Sequence, residues 1–232
     1  MRRSFKYLVF LLYVLGSQLT LGQVNEKVLG SWLTYAFNAD LNNSNWGFQG
    51  DFQLRNWKLA TDLEQLLLRS GVHYTPTNTR LKFTLGYAYV KSSYYGSSKT
   101  QNQENRIYQE IRYPHKVGDR YYLSHRFRFE QRFIERQDFR TRFRYAFGID
   151  IPLNKTLLTS KTWFATAYDE VFINGQRDIG NDTEVDLLDR NRVFLGLGYT
   201  ITTQIRTTFG FLRQNTQHWS KNQIVLSFIQ SF

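Results

Sequence analysis

What most constrains this sequence is a strict two-residue alternation, sustained over ten or more positions at a time. Trp46, Phe48, Gly50, Phe52 and Leu54 fall on one parity, and Gly47, Gln49, Asp51, Gln53 and Arg55 on the other. The pattern returns as Leu81, Phe83, Leu85, Tyr87 and Tyr89 against Lys82, Thr84, Gly86 and Ala88. In the middle of the chain, Phe127, Phe129 and Phe133 alternate with Arg126, Arg128, Glu130 and Arg132. Phe139, Phe143, Tyr145, Phe147 and Ile149 then oppose Arg140, Arg142, Arg144 and Asp150. Val193, Leu195, Leu197, Tyr199 and Ile201 do the same against Arg192, Gly196, Gly198 and Thr200. Successive side chains point to opposite faces in an extended strand, so each segment reads as a β-strand with one ring-bearing and one polar face. Eleven segments fit, at roughly 29–38, 46–56, 64–75, 79–90, 105–113, 120–133, 138–151, 161–173, 190–201, 204–214 and 222–232.

Most of these segments run ten to fourteen residues, whereas strands of about 5–6 are usual. A tilted strand crosses a bilayer in about 9–11 residues. Composition agrees with that reading. Aromatic residues make up 17% of the chain while mean hydropathy is −0.48, which is too aromatic for a disordered chain. Beyond the N-terminus no stretch approaches the ~20 apolar residues of a spanning helix. A soluble barrel would have to bury the rings, but eight strands already fill a barrel with their own side chains. About ten strands with four or five bulky residues apiece exceed that space, and lipid accepts such a face without limit. Closure is also required there, because unpaired strand edges in hydrocarbon cost several kcal/mol per group. The fold expected is all-β: a transmembrane antiparallel β-barrel of ten to twelve strands, with a lipid-facing aromatic exterior and an Arg-rich lumen.

Residues 1–22 read as a secretory signal peptide. Arg2, Arg3 and Lys6 precede the short apolar run Tyr7–Leu15, and Thr20-Leu21-Gly22 supplies small residues before Gln23. Residues 23–232 then form one outer-membrane barrel domain, with 27 Lys and Arg against 19 Asp and Glu. The chain has no Cys, which excludes disulfides, thiolate metal sites and Cys nucleophiles. Polar connections at 91–104, 174–189 and 215–221 alternate with tighter ones at 76–79, 114–119, 152–160 and 202–203, where Pro76, Pro114 and Pro152 lie. Long loops at one end and short turns at the other suit an outer-membrane barrel. The last strand ends in the aromatic Phe232. It resembles the signal that bacterial outer-membrane proteins present to their assembly machinery, so that machinery and outer-membrane lipids are the expected partners. Single-chain bacterial barrels have even strand counts. That leaves segment 29–38 odd and predicts ten strands or twelve.

Several runs together resemble a known family. They include Trp32, the Gln-x-Arg ending at Arg55, the Leu-Leu-Leu-Arg-x-Gly of 66–71 and Arg106-Ile-Tyr-Gln. Most specific is Leu-Ser-His-Arg-Phe-Arg-Phe-Glu-Gln-Arg at 123–132, followed by Arg142-Phe-Arg-Tyr, Asp169-Glu-Val-Phe-Ile-Asn and Asn191-Arg-Val-Phe-Leu-Gly-Leu-Gly-Tyr. The chain is similar over almost its whole length to the outer-membrane barrel family called domain of unknown function 2490. The resemblance implies a fold and a location, and carries over no site residues.

Chemistry is therefore expected on the inward face. Arg126, Arg128, Arg132, Arg140, Arg142 and Arg144 point into the barrel with Glu130 and Asp150. Neighbouring segments add Glu110, Glu170, Arg112 and Arg192, with more Arg at positions 55, 69 and 206. Like charges this close must be neutralised by acids, solvated or offset by bound anions. Two readings follow: a narrow passive or ligand-binding pore with anion preference, or a closed structural or assembly barrel held by Arg–carboxylate pairs. An outer-membrane lipid hydrolase is a third class, for which inward-facing His73 has no sequence-supported Ser or Asp partner. His115 is placed in a tight turn, His218 in a loop and His125 on the lipid-facing parity. No enzyme activity, cofactor or metal is expected. The loop acids Asp182, Glu184 and Asp186 lack the glycine and distal Glu of a calcium loop. Nucleic acid is not an expected partner, because the basic residues follow strand parity rather than gathering in a patch.

Overall fold

A computed structural model describes residue 24, residues 26–96 and residues 100–232. The expected signal peptide lies outside these described residues. Eleven strands make up the fold: β1 (Gly30–Asp40), β2 (Trp46–Asn56), β3 (Leu63–Tyr74), β4 (Lys82–Ser93), β5 (Gln101–Val117), β6 (Tyr121–Ile134), β7 (Arg140–Pro152), β8 (Thr162–Asn174), β9 (Leu188–Thr200), β10 (Ile205–Asn215) and β11 (Ser220–Ser231). They close into one barrel in chain order.

The strand count is neither ten nor twelve. All neighbours are antiparallel except β1 and β11, which run parallel from Gly30↔Gln223 to Asn38↔Ser231. A parallel seam closes a barrel with an odd number of strands, and this is how segment 29–38 enters the wall without a twelfth strand. It also separates the two ends of the barrel. The first rim holds the start of β1; the second holds the end of β11.

The second rim corrects one turn. β5 outlasts β4, whose ladder ends at Lys82↔Arg112, and continues against β6 to Val117↔Tyr121. Pro114 therefore sits inside a strand, where a ladder on one side only leaves room for a residue that cannot donate. His115 likewise belongs to β5, not to a turn, and its ring stacks on His125 at 5.2 Å.

The two parities separate as side chains. Leu85, Leu195 and Phe211 on the outer face are about 60% exposed, while Arg128, Glu130 and Arg142 inside are 5% exposed or less. Polar groups on the outer face bond one another: Gln109 Nε2 donates to Gln131 (3.2 Å), Tyr89 Oη to Gln103 (3.0 Å), and Asn191 to Asp169. His125, on this face, meets Tyr145 Oη at 2.8 Å through Nδ1. Some rings nonetheless face inward, among them Trp32, Tyr108, Phe164, Phe172 and Phe194, all under 9% exposed. Tyr108, Phe164 and Phe194 lie over strand positions that lack a side chain. A Cβ on Gly198 would stand 2.1 Å from the Phe164 ring, and one on Gly86 would stand 2.2 Å from Tyr108. These glycines let rings lie flat across the neighbouring strand.

Candidate functional site

The inward arginines and acids of β5–β8 form a closed ring of alternating charge. Arg128 on β6 donates to Glu110 on β5 and stands 3.8 Å from Glu130. Glu130 accepts from Arg144 Nη1 on β7 at 2.6 Å. Arg144 donates through Nη2 to Glu170 on β8, also at 2.6 Å. Glu170 accepts from Arg126 Nη2 at 2.6 Å, and Arg126 closes the circuit at 3.9 Å from Glu110. Register explains the ring: Glu110 faces Arg128, and Arg128 in turn faces Arg144, directly across the strands. Two arms extend from it. Arg142 donates to Glu130 through Nη2 at 2.6 Å, and Arg112 stands 3.5 Å from Glu110 at the second rim, with its side chain 45% exposed.

The other expected lumen residues lie elsewhere. Arg132 pairs with Glu104 at 2.5 Å, sharing it with Arg106 at 2.6 Å. Arg140 is buried with no carboxylate within 4 Å among the described residues, and its Nε has no partner. Asp150 stands apart from the ring, 3.6 Å from Arg206 near the second rim. Arg192 donates through Nε to the neutral Gln214 at 2.7 Å.

Several members were not in the expected set. Glu104 and Arg106 continue the alternation of β5 just before or at the start of the expected segment. Asp51 pairs with Arg69. Asp189, expected in a loop, donates no charge to solvent there: it holds Arg142 at 2.7 Å and Arg190 at 3.1 Å. A bulge opposite Phe172–Ile173 turns it inward, and a second one opposite Arg55–Asn56 does the same for Glu64. Such extra residues re-aim side chains against simple alternation.

A cavity of about 940 Å³ fills the barrel interior. Fourteen Arg and Lys side chains line it, with four Asp and Glu. Adding Glu110, Glu130 and Asp189, which pair with lining arginines, gives seven acids against fourteen cations. The cavity reaches the second rim at Arg80, Arg112, Lys116 and Arg206. Toward the first rim its lining reaches Gln65, Ser92, Glu104 and Arg132, and Trp57, Glu64, Asn174, Gln214, Lys221 and Gln223, each less than a tenth exposed, form a buried layer at that end. Within this layer Lys221 Nζ donates to the Trp57 carbonyl at 2.5 Å, and Gln223 Nε2 donates to Glu64 at 2.7 Å. Trp219 and Tyr95 pack edge-on against the Trp57 ring.

A family model described as "Protein of unknown function (DUF2490)" matches residues 29–225. The chain belongs to this family. Comparison with the curated proteins finds no match. In the DUF2490 barrel, His73 does have an acid beside it: its Nε2 lies 3.3 Å from Asp40 at the second rim, which sequence alone does not pair with it. Two loop acids of 175–187 are engaged as well, Glu184 by Arg177 at 2.9 Å and Asp186 by His218 at 3.1 Å.

Proposed function

We propose that the DUF2490 barrel sits in a bacterial outer membrane and acts as a one-ended binding cup for an anionic ligand. The observation that carries this reading is the cavity itself: fourteen cations line it against four acids, residues of the second rim line one end, and a buried layer packs the other. The strands support the location: they run from 11 to 17 residues, long enough to cross a bilayer at the usual tilt. The exposed ring-bearing face would contact acyl chains, with Trp46, Tyr113, Trp163, Tyr199 and Phe232 near the second rim serving as interfacial anchors. Phe232 would also serve recognition by the assembly machinery. No enzymatic role or cofactor is assigned.

A through-pore with anion preference is the competing reading, and the Trp57–Lys221 layer weighs against it. In planar bilayers the wild type is expected to be electrically silent. Trp57→Ala combined with Lys221→Ala should open the floor and give anion-selective steps, since rings of Arg favour anions. Anion-selective steps in the wild type would restore the pore and remove the cup.

A further inference from the structure

The floor of the cup differs from its wall in how its charge is balanced. On the wall, Arg126, Arg128 and Arg144 each meet glutamates. On the floor, Trp32 of β1 lies between two guanidinium groups, Arg55 at 3.6 Å and Arg192 at 5.0 Å from the ring centroid. All three side chains are 7% exposed or less and line the cavity. Arg55 donates to Gln65 at 2.7 Å and to Gln53 at 2.5 Å, and Arg192 to Gln214 at 2.7 Å. These acceptors are neutral amides. They satisfy hydrogen bonds but are not counter-charges, and no carboxylate stands within 4 Å of either guanidinium among the described residues; Glu170, opposite Arg192 in register, and Glu64, near Arg55, act from farther off. Two further donors are unspent: Trp32 Nε1 and Arg55 Nε are buried without a partner. Buried polar groups are normally satisfied, and a buried cation normally has a counter-charge. A carboxylate placed here would supply both.

The approach to this floor is chemically distinct. Thr34 and Ala36 of β1, Thr208 of β10, and Val225 and Ser227 of β11 line the side of the cavity across from the charged ring. They are small and uncharged, and they run from Trp32 toward the open rim. We infer that the floor is a subsite for the carboxylate of a slender amphiphile, with Arg55, Arg192 and Trp32 Nε1 taking the head and the β1–β11–β10 wall taking an alkyl stem. This rests on the cup reading and narrows it to a ligand class.

The test uses the folded barrel in amphipol and decanoate labelled with carbon-13 at the carboxyl, followed by NMR. The wild type should show saturable one-to-one binding. Arg55→Gln and Arg192→Gln should each weaken it at least tenfold, as expected for loss of a charge-assisted hydrogen bond in a buried site (~10–150-fold). Arg206→Gln, at the mouth, should change it less than about threefold. Trp32→Phe keeps the ring and removes the donor; it should weaken binding by about threefold or more, and it serves where an arginine variant does not fold. Decanol and acetate should compete poorly. Decanol competing as well as decanoate would overturn the carboxylate subsite, and acetate competing equally would overturn the stem. Wild-type affinity retained in both arginine variants would overturn this assignment while leaving the cup intact. No saturable binding of decanoate, acetate or phosphate to the wild type would overturn both.

Discussion

Glu130 is the acid whose loss should disturb the barrel most. Its side chain is 2% exposed and holds Arg142 and Arg144, each at 2.6 Å, with Arg128 at 3.8 Å. Glu130→Gln keeps the shape and removes the charge, so three guanidinium groups face one another around a neutral amide. Removing one partner of a buried pair costs about 3–5 kcal/mol. The amide oxygen still accepts one hydrogen bond, and Glu110, Glu170 and Asp189 still hold the outer sides of these arginines, so the lower end, about 3 kcal/mol, is expected. Asp150→Asn is the internal control. Its only ion pair among the described residues, to Arg206, spans 3.6 Å with side chains 27% and 36% exposed, and an exposed pair contributes less than about 1 kcal/mol. Both can be measured by denaturant unfolding of the barrel in lipid vesicles, followed by tryptophan fluorescence. If Glu130→Gln lay within about 0.5 kcal/mol of Asp150→Asn, the alternating ring would not be holding these strands together, and the structural account of the wall would be wrong.

Two further outcomes test the faces of the wall. Leu195 is 62% exposed on the outer face; Leu195→Arg should cost about 2–4 kcal/mol of folding in a bilayer, whereas no effect, together with detergent-free solubility, would refute the membrane reading. A Cβ at position 198 would stand 2.1 Å from the Phe164 ring; Gly198→Ala should cost about 1–3 kcal/mol in the same unfolding assay, and Phe164→Leu should relieve part of it in the double variant, whereas simple additivity would remove the ring-over-glycine explanation.

Much of the fold was legible in the sequence because its information is local. Period-two alternation needs only neighbouring residues, so strands such as 46–56 and 138–151, their two faces, and the inward Arg of β6 and β7 could all be read directly. What could not be read depends on register or closure. The parallel β1–β11 seam joins residues almost 200 positions apart, and the even-count rule assumes that no such seam exists. Asp189 and Glu64 turn inward through bulges, where a single extra residue reverses the alternation on which parity depends. The inward rings escaped for a related reason: Phe194 sits among glycines in a run whose outer face was already rich in apolar residues, so its parity carried little contrast.

The pairing of acids with arginines was the least legible layer, and it decides what the interior can do. An inventory of inward residues shows only an excess of Arg. Register divides that excess into two populations. On β5–β8, facing and diagonal neighbours bring Arg126, Arg128 and Arg144 onto Glu110, Glu130 and Glu170, and this sector can hold the barrel without a ligand. Trp32 and Arg55 face each other on β1 and β2, and Arg192 joins them from β9; there glutamines take the direct hydrogen bonds, while Glu170 and Glu64 act from beyond 4 Å. A uniformly unpaired interior would be under electrostatic stress throughout; a uniformly paired one would offer an anion little reason to enter. With two buried cations on the floor that no carboxylate contacts, the interior can be both a stable wall and a place for a negative head group.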